Sequence, residues 1–125
     1  MHIDQRFQKG IELFNKEKFF ECHEVIESLW LATDDEYRDL YKGLIQAAVA
    51  LHHLKKENLS GVAQLFETSV SYLSKYPGRC LGLNVKKLIS DLQTCFRTIE
   101  TQKPKKPFSS AKLSIPKLDF RVDSY

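Results

Sequence analysis

The sequence predicts an all-α fold: a compact antiparallel, up-and-down bundle of four to five helices with an extended C-terminal tail. Three observations predict it. Apolar residues recur at steps of three and four through the first hundred positions, strand-type alternation is absent before the tail, and short polar turns separate the periodic segments. The 125 residues, 42% of them hydrophobic, suit one domain with a real core, expected over residues 1–101, followed by a tail over 102–125.

The first helix rests on Phe7, Ile11 and Phe14 and stops near Asn15, with Lys16-Glu17-Lys18 as its polar turn. From Phe19, the positions Cys22, Val25, Ile26, Leu29 and Trp30 share one face about three turns long, so a second helix runs to near Thr33. Asp34-Asp35-Glu36 offers a cap and negative charge at the start of a third helix, expected from about Glu36 to Lys56. Between Gly43 and Leu54 that segment is apolar nearly all the way round, the pattern of a helix at the centre of a bundle. Asn58 or Ser60 can cap a fourth helix with the face Val62, Leu65, Phe66, Ser69, Val70 and Leu73, ending before Pro77-Gly78. Asn84 caps a fifth, carrying Leu88, Leu92, Cys95 and Ile99.

Beyond Thr101 the prolines Pro104, Pro107 and Pro116 end helical continuation. Phe108, Leu113, Ile115, Leu118, Phe120, Val122 and Tyr125 are nevertheless too many apolar groups for a solvated linker, so the tail is expected to dock on the bundle or on a second copy. Its six cations against two acids give it +4 of the net +3, which leaves the first hundred residues at −1. A folded nucleic-acid-binding surface is therefore not expected, and the basic tail reads as solvated charge.

No apolar run is long enough to span a bilayer, and the N-terminal residues lack the apolar core of a signal peptide. Cys22, Cys80 and Cys95 are odd in number, far apart and without a C-x-x-C pair, so neither a disulfide framework nor a zinc knuckle is expected. A cytoplasmic location follows as the expectation. A homo-oligomer through apolar helix faces or the tail is the partner that the pattern allows; a membrane is not.

One polar constellation asks for chemistry. In the second helix, F-F-E-C-H-E-V-I-E-S-L-W from Phe19 to Trp30, His23 and Glu27 are one turn apart at the border of the apolar face, while Glu21 and Glu24 lie nearer solvent. In the third helix, Gln46 and His53 are two turns apart within an otherwise apolar segment. Antiparallel packing can bring His23, Glu27, Gln46 and His53 face to face, because buried imidazoles and amides require partners. The residues admit three readings. One is a hydrogen-bonded network that sets helix register; another is a small-ligand pocket. The third is a metal set of His23, Glu27 and His53 holding zinc, manganese or iron, with Glu24 as a base. H-E-x-x-E departs from the H-E-x-x-H metalloprotease pattern, so a site without a cofactor is the leading expectation, and enzymatic activity is left open with binding preferred. His52, beside Tyr41, Ile45 and Ala48, reads as a packed or boundary histidine, His2 as an uninformative terminal one, and Trp30 as a core anchor rather than a stacking platform. Asn58-x-x-Gly61 reads as a cap and a turn.

Three stretches together resemble the prokaryotic domain of unknown function 309 family: F-N-K-E-K-F-F-E-C-H-E-V-I-E-S-L-W at Phe14 to Trp30, G-L-I-Q-A-A-V-A-L-H-H at Gly43 to His53, and N-L-S-G at Asn58 to Gly61. The likeness runs from Phe7 to about Tyr76. It implies an all-α bundle and no activity, and it marks Glu21, His23, Glu24, Glu27, Trp30, Gln46, His53 and Asn58 as a shared polar signature. A second likeness, of Gly10, Leu13, Cys22, Ile26 and Leu29 to the small and large positions of a tetratricopeptide hairpin, implies a protein-interaction scaffold in which the polar cluster is purely structural.

Overall fold

The computed structural model describes residues 3–76, 78–102 and 114–121. Five helices follow one another: α1 (Gln5–Asn15), α2 (Phe19–Leu31), α3 (Arg38–Lys55), α4 (Val62–Leu73) and α5 (Val85–Gln102). Successive helices pack on each other, α1 on α2, α2 on α3, α3 on α4 and α4 on α5, which is the expected all-α bundle. No helix among the described residues is long and apolar enough to cross a membrane.

Local chemistry sets most of the boundaries. The Asp4 carboxylate accepts from the Arg6 backbone N–H at 2.8 Å and caps α1, so that helix starts two residues before its first apolar position. Asn84 caps α5 as its sequence position suggests, its Oδ1 accepting from the Lys87 N–H at 3.0 Å. Two starts differ from expectation. The Asp34-Asp35-Glu36 run does not cap α3; Asp35 closes a turn instead, its side chain accepting from Tyr37 N and its carbonyl from Arg38 N, and the helix begins at Arg38 with no side-chain cap. At α4, neither Asn58 nor Ser60 holds the N-cap; Gly61 does, with φ +77° that a glycine adopts without strain.

α3 is the centre. Ala47, Ala48, Ala50, Leu51 and Leu54 are wholly buried. Toward α4 the backbones come close at Gly43, where a Cβ would stand 2.8 Å from the Leu73 side chain. There the buried Ser69 hydroxyl donates to the Gly43 carbonyl at 2.8 Å and satisfies both groups.

A short antiparallel hairpin between α4 and α5, β1 (Arg79–Cys80) with β2 (Leu83–Asn84), was not legible as strand alternation. Its two-residue turn, Leu81 at φ +50° and Gly82 at φ +83°, has the left-handed pair that matches strand twist. Residues 114–121 complete it. Leu83 bridges Phe120 in antiparallel register, Asn84 N donates to Asp119 O at 2.8 Å, and Arg121 N donates to Gly82 O at 2.7 Å. Asn15 grips the same segment with both amide atoms, donating to the Leu118 carbonyl and accepting from its N–H, while Leu118 enters the core. Phe108, Leu113, Val122 and Tyr125, which also prompted the docking expectation, lie outside the described residues, as do His2 and Pro77. All three cysteines are free; burial raises the Cys22 thiol to about 12 and the Cys95 thiol to about 11, as befits small packed hydrophobes.

Candidate functional site

The second and third helices run antiparallel, so the start of α2 meets the end of α3. Phe20 and His23, one turn apart on α2, face Val49, His52 and His53 on α3. The Phe20 ring lies 5.6 Å, centroid to centroid, from both His23 and His52, and His52 lies 5.7 Å from His53. With Phe19 these residues line a cleft of ≈ 230 Å³. Phe20 stays half exposed, which leaves its ring available at the mouth. No carboxylate, ammonium or guanidinium lines the cleft, so its polar character comes from three imidazoles.

Burial, followed by the charges of Lys56, His53 and His23, pushes the His52 pKa below its ordinary value. His23 Nε2 stands 3.6 Å from Glu27 Oε1, too long for a good hydrogen bond but close enough for an ion pair when the ring is protonated. Outside the cleft, Glu24 is exposed on α2. Gln46 does not line the cleft; its Oε1 is buried without a hydrogen-bond partner. Among the described residues no three His, Cys, Asp or Glu side chains gather as a set that could hold a metal ion, so His23, Glu27 and His53 do not converge in that way.

Two of the anticipated residues, His23 and His53, thus line one cleft, and Glu27 stands beside it, 3.6 Å from His23. His52, set aside as a packed or boundary residue, is the one that joins them, and Phe20 and Val49 complete the wall. The available signal was the pairing of F-x-x-H on α2 with V-x-x-H-H on α3, each one turn long and aimed at the other once the helices are antiparallel. Trp30 is half-buried against the core and also forms a platform: the Arg38 guanidinium lies 4.1 Å and the Lys42 ammonium 4.5 Å from its ring centroid.

Comparison with known proteins matches residues 7–65 to the family described as "Domain of unknown function (DUF309)". Over residues 7–65 the chain is similar to that family. The span holds α1 to α3 and the start of α4, hence every side chain of the cleft. The uncharacterized protein YpuF of Bacillus subtilis is 33% identical over 94 residues, 73% of this chain and 54% of the relative. An uncharacterized protein of Aquifex aeolicus is 29% identical over 92 residues, 73% of this chain and 28% of the relative. The chain therefore spans about half the length of one relative and little over a quarter of the other. No solved structure matches it significantly. Neither the family nor these relatives carry an assigned activity, and the function of the domain is unknown.

Proposed function

We propose that this domain is a binding module for a compact aromatic or heteroaromatic molecule with one hydrogen-bonding substituent, held in the cleft between α2 and α3. The observation that carries the reading is the grouping of three imidazoles and the half-exposed Phe20 ring in one cleft, with His23 and His52 against that ring. Phe20 supplies a stacking face, Phe19 and Val49 an apolar floor, and each imidazole one donor and one acceptor in its neutral form. At ≈ 230 Å³ the cleft is smaller than pockets for drug-sized ligands, which favours a single ring over a dinucleotide or a peptide. Binding is favoured over turnover because Glu24, the candidate base, stands outside the cleft.

Benzoate and benzamide, a charged and a neutral probe of the same shape, test the reading by NMR. The ring signals of His23, His52 and His53 should move together with one of the probes, and Phe20→Ala should weaken that response about tenfold. Silence toward both probes, with zinc shifting all three imidazoles and raising the melting temperature, would replace the reading by a metal site. Nothing in the structure or the relatives favours the tetratricopeptide-like scaffold.

Residues 114–121 are part of the same folding unit as the helices, a reading supported by the contacts of Asn15, Leu83 and Asn84 with residues 118–121. A chain ending at Thr101 should lose about 2 kcal/mol or more, from the burial of Leu118 alone, read by urea unfolding. A cytoplasmic location goes with this reading. Its support is the three free thiols, two of them in the core, and fractionation of cells carrying the tagged chain checks it.

A further inference from the structure

The opposite end of the same helix pair carries a second feature that the cleft does not use. Trp30 lies two turns beyond His23 on α2, and Arg38 and Lys42 occupy the first two turns of α3, each within 4.5 Å of the Trp30 ring centroid. Among the described residues neither cation forms an ion pair or a side-chain hydrogen bond; the contact with the ring is what holds them. None of the nearby carboxylates among the described residues pairs with either cation. Asp39 pairs with Lys75, Asp35 accepts from Tyr37 N, and Asp34 and Glu36 are exposed.

Two like charges one turn apart on a helix repel each other, and long side chains left free would separate. Here both are half-buried and drawn to one aromatic ring, so much of their conformational entropy is already spent before any anion arrives. They also sit at the N-terminal end of an 18-residue helix that no side chain caps, where the backbone field favours negative charge. A carboxylate brings one charge and two oxygens. A phosphate brings close to two charges and three terminal oxygens, enough to meet the guanidinium fork and the ammonium at once.

We propose that Trp30, Arg38 and Lys42 form a binding site for the phosphate group of a small phosphorylated molecule. The site is independent of the imidazole cleft. Aromatic probes are scored there on imidazole resonances, phosphate here on tryptophan emission, and each reading can fail alone.

Trp30 is the single tryptophan of the chain, so its fluorescence reports on this place and no other. Pyrophosphate and inorganic phosphate, titrated at constant ionic strength, should change the emission saturably. Arg38→Gln and Lys42→Gln should each weaken the response about tenfold, and Lys42→Arg should keep most of it. Line broadening in the phosphorus NMR of pyrophosphate with wild-type protein gives the same answer without a variant, should Arg38→Gln fail to fold. An equal emission change with sodium chloride, or an undiminished response in Lys42→Gln, overturns the proposal. A response confined to a single-stranded oligonucleotide overturns it as well, in favour of a nucleic-acid backbone.

Discussion

The two sides of α3 obey different rules. Toward α4 the helix presents Gly43, backbones approach closely, and the Ser69 hydroxyl and Gly43 carbonyl satisfy each other in a dry interface. Toward α2 it presents Arg38, Lys42, Val49, His52 and His53, with an open cleft at one end and two cations on an indole at the other. Between them, Gln46 keeps a buried acceptor unmet. Small residues let one side close fully. On the other side the rings of Phe19, Phe20, His23, His52 and His53 line a cleft at the surface. The dry contact at Gly43 and the proposed sites thus lie on different sides of a single helix.

Introducing a charge into the dry centre should have the largest effect. Leu51 is fully buried, and Leu51→Asp should destabilise by about 4 kcal/mol or more, enough to abolish cooperative thermal unfolding followed by circular dichroism. A folded variant with an unchanged melting temperature would break the contrast at its root.

Gln46→Met probes the seam. Removing an acceptor that has no partner should leave stability level or raise it by about 1 kcal/mol, measured by urea unfolding. A loss of several kcal/mol would instead mean that Gln46 belongs to a hydrogen-bonded network that sets helix register.

His52 gives the smallest effect, and its sign is set. Burial holds its native pKa below 6.5, so near and below that value the unfolded chain binds the proton more readily than the native one. Its contribution to stability is complete above the unfolded pKa and is lost as pH falls from there through the lower native value. The melting temperature should therefore drop on acidification below 6.5, and His52→Gln should flatten part of that slope. An unchanged slope would place His52 in water rather than in the wall of the cleft.

Much of this was legible beforehand, for identifiable reasons. Periodicity located all five helices because each buries one face, and the α3 segment read as central because Ala47, Ala48 and Ala50 leave it few polar positions. Helix starts were less legible where a turn competes with a cap, as at Asp35, or where glycine supplies a left-handed φ, as at Gly61. The candidate site divided in the same way. His23 and His53 were marked by being polar beside apolar faces, yet nothing in that pattern separated His52 from Gln46.

By itself the sequence determined which side of each helix is buried, that the thiols stay unpaired, and that imidazoles, an indole and an amide lie along the border between α2 and α3. Only the tertiary structure decided which of them meet. A helical wheel gives the angle of a side chain around its axis but not the axial stagger of a neighbouring helix, and a shift of one turn, about 5.4 Å, exchanges one partner for another. That stagger put His52 in the cleft, left Gln46 outside it and set Arg38 and Lys42 over Trp30. The hairpin was decided the same way, since strands of two residues carry no periodicity and Leu83 gains its further partner from Phe120, 37 residues along the chain.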